Sequence, residues 1–395
     1  MKIGINCLRL DPDYVGGLNT YTLGLLQGFA SVGNNHTFHL YGTDRNQVLF
    51  RKFEGDTRFV FSAMTQRDFR IRQRLSRAAL LSANSDIFRR VSNGLYRDLR
   101  EKMDEEVDLV YTPTDLMQAF DYRRPTVLSI HDLQHVHYPE FFSWARRLSR
   151  RITYRLSADV ATRLQASSRF VRQDLLSQFR SLRPEKIEVI PEGVNVEEFS
   201  IRRDGSKLWA RYGVADKFLL YPAQLWPHKN HMTLLRALKH LEETAGVKIP
   251  LVLSGGKFGA ARSVLKFIED QKMTYVRYLG KVPFEDLAGL YQSAAFLICP
   301  SLFESSSLPI LEAAASSTPI IASRIPANIE HAEVLQINLF DPLDHVDLAR
   351  TILPLWNDNR SARAQAAYNR RQVGQFSWEN VARSYLRLFE AAAAN

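Results

Sequence analysis

Residues 294–323 read AAFLICPSLFESSSLPILEAAASSTPIIAS. Phe296 to Cys299 is an apolar run with the length of a strand buried on both faces, which suits a parallel sheet. Pro300 and Ser301 end it. Ser307 offers a side-chain oxygen as a helix cap and Pro309 suits a first helical turn, so the spacing predicts a helix over 308–315. Thr318 and Pro319 break that helix, and Ile320 to Ser323 supplies the next strand. One carboxylate, Glu304, stands in the loop, and a second, Glu312, follows about two turns along the chain. A helix N-terminus beside a loop at the carboxyl end of a strand is a natural diphosphate site. Two Glu at this spacing also fit a solvated helix face.

The same alternation extends in both directions. Toward the N-terminus, strands are expected at 2–8, 36–42, 58–62, 108–113, 125–131, 162–166 and 186–191. Helices are expected after Gly16-Gly17 to about Val32, over 67–102, over 141–156 and over 170–179. The pattern restarts at Phe218, with strands at 218–223, 250–254, 275–280 and 335–340 around the central unit and helices between them. The 395 residues suit two domains of ordinary size, and 45% hydrophobic content supports a core in each. A linker is expected near 198–206.

Composition narrows the function classes. No apolar run approaches the roughly 20 residues of a membrane span, and Met1-Lys2 leads straight into a strand rather than a signal peptide. Cys7 and Cys299 both fall in predicted strands and read as core residues of a reducing cytoplasm. No Cys/His spacing resembles a metal site. The net charge of +10 points to an anionic partner: nucleic acid, a membrane surface or a phosphorylated substrate.

Several positions draw attention for their chemistry. The Gly16-Gly17 pair opening a helix permits close approach of a ligand to backbone N–H groups, although such a pair is also an ordinary turn. His131 ends an apolar strand, where ligands gather in parallel sheets; it reads either as a structural hydrogen-bonder or as a cleft residue. Lys229 lies in the loop of YPAQLWPHKNH (221–231), between a strand and a helix, where an ammonium can stabilise a leaving diphosphate. His228 and His231 flank it. Trp226 can stack on a sugar or pack the loop.

Taken together, PSLFE…LPILEA…TPIIAS, the Gln224 to Asn230 loop, the His131-Asp132-Leu133 segment and SSRFVRQDLL…PEKIEVIPEGVN (167–195) resemble the retaining glycosyltransferases of family 4. The resemblance covers nearly the whole chain and is weakest from Arg45 to Glu106. It implies an α/β architecture of the GT-B type, two Rossmann-like doubly wound domains facing each other across a cleft. These would be residues 1–200, on the acceptor side, and 201–376, binding the nucleotide sugar, with a final helix over about 377–395 crossing back. It implies transfer of a sugar from a nucleotide diphosphate sugar to an acceptor hydroxyl with retention, without metal or further cofactor, in bacterial surface polysaccharide or glycolipid assembly, with mannose as the guess for the sugar. By carry-over, Glu312 would accept hydrogen bonds from the ribose hydroxyls and Glu304 would contact the transferred sugar. Lys229 and the N–H groups near Ser307 and Leu308 would hold the diphosphate. Gly16 and Gly17 would lie under the phosphates or the acceptor, and His131 beside the sugar. The sequence departs from the family twice. Ser305, Ser306 and Ser307 replace its Gly-Phe-Gly-type residues, and Gln224 stands where many members carry Arg, which removes a fork of donors and leaves Lys229 more of the charge. A nucleotide-sugar epimerase of the same fold and a non-catalytic sugar- or nucleotide-binding protein are the competing classes.

Between Arg67 and Arg100 there are nine Arg and three Asp. Arg70, Arg74 and Arg77 share a helical face beside Ile71 and Leu75, and Arg147, Arg151 and Arg155 align beside Leu148, Ile152 and Leu156. A solvated face with its apolar stripe packed on the sheet is one reading. Nucleic acid is disfavoured, because no aromatics interleave with the arginines. The favoured reading is peripheral attachment to the anionic inner face of the cytoplasmic membrane, where a saccharide or lipid-linked saccharide acceptor would be presented.

Overall fold

The computed structural model describes residues 1–13, 16–32, 35–358 and 360–394. The chain divides into two compact units: Met1–Gly193 with Trp378–Asn395, and Val194–Ser377. The division falls at Gly193, ahead of the 198–206 segment expected as a linker. That segment belongs to the second unit, where Val196–Ser200 is a short helix with Phe199 buried.

In the first unit the strands are β1 (Lys2–Asn6), β2 (Thr37–Thr43), β3 (Phe59–Met64), β4 (Leu109–Thr112), β5 (Thr126–Ile130), β6 (Arg163–Ala166) and β7 (Ile187–Val189). They form one parallel sheet in the order β3-β2-β1-β4-β5-β6-β7. In the second unit, β8 (Leu219–Pro222), β9 (Leu251–Ser254), β10 (Val276–Tyr278), β11 (Phe296–Cys299), β12 (Ile320–Ser323) and β13 (Asn338–Phe340) form a parallel sheet in the order β10-β9-β8-β11-β12-β13. Both are Rossmann orders, with a reversal between β1 and β4 in one and between β8 and β11 in the other. The central strands are buried along their length because helices cover both faces, so FLIC and IIAS read as continuous apolar runs.

The unit quoted from the sequence folds at the predicted bounds: β11, the helix Leu308–Ala315, and β12. The helix ends in a Schellman arrangement. Thr318 N–H donates to the Ala313 carbonyl at 2.8 Å and Ser317 N–H to that of Ala314 at 3.3 Å, with Ser317 at φ +57°. A serine occupies the left-handed position that glycine usually fills. The long helix expected over 67–102 is instead three helices, Gln66–Ala79, Ser85–Leu95 and Arg97–Glu106. Asn84 caps the second by accepting from the Asp86 and Ile87 amides, which makes a new helix start cheaper than continuation.

The last helix, Trp378–Ala393, packs in the first unit against the helix Gly17–Val32. Tyr385 and Phe389 join Tyr21, Phe29 and Tyr111 in one buried cluster. The Tyr21, Tyr111 and Ser129 hydroxyls hydrogen-bond to one another, and Tyr385 joins them. Trp378 fills a slot that only glycine leaves open: a Cβ at Gly24 would stand 2.1 Å from its ring, and one at Gly193 2.5 Å.

Candidate functional site

In the second unit the loops after β8 and β11 leave neighbouring strands at the point where the strand order reverses. That adjacency brings Lys229 and Glu304 together, with Nζ 2.6 Å from Oε1 and both side chains largely buried. The Tyr221 hydroxyl, at the end of β8, donates to the Lys229 carbonyl at 2.8 Å. Leu302 N–H donates to the His228 carbonyl at 2.8 Å, tying one loop to the other. Asn230 takes the left-handed conformation at φ +53°, and its side-chain amide donates to the Pro300 carbonyl at 3.0 Å and the Pro342 carbonyl at 2.8 Å. Three loops at the carboxyl ends of β8, β11 and β13 are thereby held by one asparagine. A fourth approaches closely, since a Cβ at Gly255 would stand 2.4 Å from the Ala223 carbonyl oxygen.

Ser307 occupies the N-cap position of the helix Leu308–Ala315, but its side chain does not cap. The residue is fully buried, its hydroxyl lies 3.5 Å from Cys299 Sγ, and its N–H points to His331 Nε2 at 3.4 Å. The apolar pocket behind β11 takes the hydroxyl that sequence reading assigns to the cap. The Leu308 N–H opens the helix and has no intrahelical acceptor. Burial pushes His331 down to about 4, so the ring accepts the Ser307 N–H as a neutral imidazole.

Glu312 lies on the same helix, and its Oε2 accepts from the Tyr291 hydroxyl at 2.6 Å. Burial and then the Glu312 charge raise the Tyr291 phenol well above its usual range, which keeps it a donor at any physiological pH. Gln224 Oε1 accepts from the Trp226 indole N–H at 2.9 Å, and the Trp226 ring stacks on Phe258 with centroids 4.3 Å apart. His231 is buried against Tyr221 with ring centroids 4.7 Å apart, and burial pushes it down to about 3.

The remaining candidates lie in the first unit. His131, just past β5, directs Nε2 at the Pro113 carbonyl 2.9 Å away, so that nitrogen carries a hydrogen. Its Nδ1 faces Glu192 Oε1 at 3.7 Å, and its N–H donates to Asp115 at 2.7 Å. Burial opposes the imidazolium, yet Glu192 and Asp115 outweigh it and push His131 up to about 9. The Tyr21 ring meets the imidazole edge-on, with centroids 4.6 Å apart. Tyr21 belongs to the helix that opens at Gly17, where nothing lies within 4 Å of the position a Cβ would take. Gly16 accepts from the Asn19 and Thr20 amides at the start of that helix.

Sequence reading missed Tyr291, Tyr221, His331 and the role of Glu192. Tyr291, His331 and Glu192 act from elements remote in sequence from their partners, whereas Tyr221 stands eight residues before Lys229 in the quoted 221–231 stretch and nothing in its spacing marks its hydroxyl as a partner of the loop. Glu192 sits in the quoted PEGVN turn, where a carboxylate one residue before glycine was its only signal.

Comparison with known proteins covers both units. Residues 15–198 match the family model of Glycosyltransferase Family 4, and residues 216–358 match that of Glycosyl transferases group 1. The chain is 32% identical over 167 residues to the O-antigen chain mannosyltransferase B of Escherichia coli, spanning 41% of this chain and 43% of that protein. It is 28% identical over 257 residues to the MMP alpha-(1->4)-mannosyltransferase of Mycolicibacterium hassiacum, spanning 64% and 58%. The chain thus spans about half the length of these curated relatives. The crystal structure of Anabaena Alr3699/HepE in complex with UDP-glucose has the same fold, with a TM-score of 0.75 at 19% identity over 99% of this chain and 100% of that one. With both halves matched by glycosyltransferase models on a GT-B pair of Rossmann units, the chain belongs to the glycosyltransferases of family 4, group 1.

Proposed function

We propose that the protein transfers a sugar from a nucleoside diphosphate sugar to a hydroxyl of a saccharide acceptor, with retention and without a metal ion, in the assembly of a bacterial surface polysaccharide or glycolipid. The observation that carries this reading is the Lys229–Glu304 pair at the strand-order reversal, beside the helix Leu308–Ala315. A diphosphate is recognised by fixed positive charge and by N–H groups without acceptors. Lys229 and the Leu308 N–H supply these. Glu304 holds the ammonium until the donor arrives and then turns to the hydroxyls of the transferred sugar. Glu312, held by Tyr291, takes the ribose hydroxyls. As the bond between the anomeric carbon and the phosphate oxygen breaks, one further negative charge develops on the leaving diphosphate against Lys229, and the acceptor hydroxyl attacks the face that the diphosphate leaves and gives its proton to that phosphate oxygen. His131 places a cationic imidazole in the first unit. In this reading Lys229 supplies the positive charge set against the diphosphate.

The names of the two bacterial relatives support mannose as the sugar, and the UDP-glucose held by the Anabaena protein supports a nucleoside diphosphate donor. Membrane attachment rests on the helix Gln66–Ala79. Its apolar stripe does not pack on the sheet: Ile71 is 45% and Leu75 51% exposed beside the exposed Arg70, Arg74 and Arg77, and Leu81 just beyond is 81% exposed. No helix among the described residues is long and apolar enough to cross a membrane.

A panel of nucleoside diphosphate sugars, GDP-mannose among them, tests the reading. We expect nucleotide release from one donor, faster with a saccharide acceptor, and a product whose anomeric configuration by NMR matches the donor. Release from none of the panel overturns the transfer reading, and an inverted product overturns retention.

A further inference from the structure

The second unit contains a recess of about 400 Å³ at the amino ends of β12 and β13, beside the helices His345–Asn357 and Arg360–Gln372. Lys229 and Glu304 follow the carboxyl ends of β8 and β11, so the recess opens at the opposite edge of the same parallel sheet. Ile320 starts β12 one residue ahead of the ladder to β13, which begins with Ile321 and Asn338. Two side-chain amides serve its backbone instead. Gln365 Oε1 accepts the Ile320 N–H at 2.8 Å, and Asn338 Nδ2 donates to the Ile320 carbonyl at 3.4 Å. Each contact fixes which end of its amide meets the strand. The other ends are left to the recess that both residues line: Gln365 Nε2 has no acceptor and Asn338 Oδ1 no donor among the described residues. Gln365 is 7% exposed, so unanswered N–H groups there are costly and a bound acceptor is favoured.

The rest of the lining names the ligand. Leu335, Ile337 and Leu355 supply aliphatic surface, and the exposed Ser361 adds a hydroxyl. The remaining lining residues, Ala332, Gln336 and Ala362, are uncharged as well. A recess without an ionisable side chain, in a chain of net charge +10, does not answer a phosphate or a carboxylate, which needs a paired charge once it is desolvated. It answers a neutral group that both donates and accepts and that carries C–H surface between its polar atoms. A pyranose has this chemistry: one hydroxyl accepts from Gln365 Nε2 while another donates to Asn338 Oδ1. The volume is at the small end of ligand pockets and suits a sugar ring rather than a nucleotide.

We propose that this recess is a second saccharide site, taking one neutral hexopyranose unit of the acceptor or product glycan. The inference rests on the glycosyl-transfer reading for the identity of the sugar, mannose. A glycan held at this edge of the sheet stays with the protein between transfers without occupying the donor site.

The test is methyl NMR of the full chain under titration with methyl α-D-mannopyranoside, with the Ile337 and Leu355 signals assigned through Ile337→Val and Leu355→Met. We expect both signals to shift saturably with a dissociation constant on the order of 1 mM, the scale for a small ligand without a charge contact. A saturating nucleoside diphosphate should not displace the sugar. Gln365→Glu keeps an acceptor for the Ile320 N–H and loses the donor, and should weaken binding by about fivefold, the loss of one neutral hydrogen bond. Ser361→Trp, at an exposed position, covers the recess and should abolish the shifts in a chain that folds normally. Signals unmoved by the sugar overturn the site, as does unchanged affinity in folded Ser361→Trp. Equal shifts with glycerol would mark a solvent-filled recess, and displacement by the nucleoside diphosphate would put the sugar in the transfer site; either overturns the assignment. Nucleotide release from sugar donors by the unaltered protein is measured separately. Release without methyl shifts overturns the second site alone, and shifts without release from any donor support that site while overturning the transfer reading.

Discussion

Lys229 and Glu304, 75 residues apart in sequence, meet at 2.6 Å because parallel strands β8 and β11 are neighbours at the reversal of strand order. The pair sets Lys229 between two anions, its own glutamate and an arriving diphosphate. Lys229→Ala should weaken nucleoside diphosphate affinity by about 1.5–3 kcal/mol, the size of one charge-assisted contact. Glu304→Gln should do the reverse for affinity, since the ammonium no longer has a competing carboxylate, while lowering turnover. Calorimetry on both variants checks this, and equal affinities across the set would dissolve the assignment.

Tyr291 and Glu312 make the second test. If Glu312 receives the ribose hydroxyls, the protein should prefer a nucleoside diphosphate to its 2′,3′-dideoxy analogue by roughly tenfold, and Glu312→Ala should erase the preference. Tyr291→Phe should blunt it and cost about 1–2 kcal/mol of stability, because the buried hydroxyl donates to the carboxylate at 2.6 Å. A dideoxy analogue binding as well as the parent to the unaltered protein would remove Glu312 from the ribose.

The histidines predict a stability maximum near pH 6.5. His131 is raised to about 9 in the folded state from an ordinary 6.5, so its contribution is complete below pH 6.5 and is lost as pH rises to 9, on the order of 3 kcal/mol. His331 is lowered to about 4 by burial, so its unfolded form takes up the proton first and stability falls as pH drops from 6.5 toward 4. Thermal melts across pH 4–9 should show both slopes. Glu192→Gln should flatten the alkaline one, because Nδ1 of His131 then faces no charge there.

The fold was legible because parallel strands covered on both faces must be written as apolar runs, and FLIC and IIAS are such runs with turn residues at each end. Lys229, Glu304 and Glu312 stand out in the sequence through the family resemblance of the strings around them, and the structure brings Lys229 and Glu304 into contact. The partners that position them do not stand out. Tyr291 reaches Glu312 from a separate helix, and His331 reaches Ser307 across 24 residues, contacts set by packing rather than by spacing. The Ser307 cap was misread for the same reason: local propensity favours the cap, but the buried space beside Cys299 claims the hydroxyl. The 67–102 segment was read as one helix because its arginines mask the breaks at Ala83 and Tyr96, which lie outside helical geometry.

Membrane attachment should be electrostatic and reversible. Sedimentation with anionic liposomes at low salt should carry the protein down, and high salt or neutral lipid should release it. Replacing Arg70, Arg74 and Arg77 by Glu should abolish pelleting, with roughly 1 kcal/mol lost for each basic group. Protein that stays in the supernatant with anionic lipid at low salt would favour a saccharide acceptor free in solution.

Chelation makes the fifth test. With Lys229 carrying the charge stabilisation, excess EDTA should leave the transfer rate within twofold of its starting value. A rate abolished by EDTA and restored by manganese or magnesium would contradict the metal-free reading.

The return of the helix Trp378–Ala393 to the first unit has a consequence for synthesis. Tyr385 and Phe389 complete the same buried cluster as Tyr21 and Phe29, so that cluster stays open until residue 389 has left the ribosome. The second unit, encoded wholly in between, can close its own core first. Through most of translation the nascent first unit therefore exposes aromatic surface around the helix Gly17–Val32, and a chain halted before Trp378 keeps it exposed. Premature release in that interval should yield a product that binds chaperones and aggregates, whereas a fragment over 194–377 should remain dispersed.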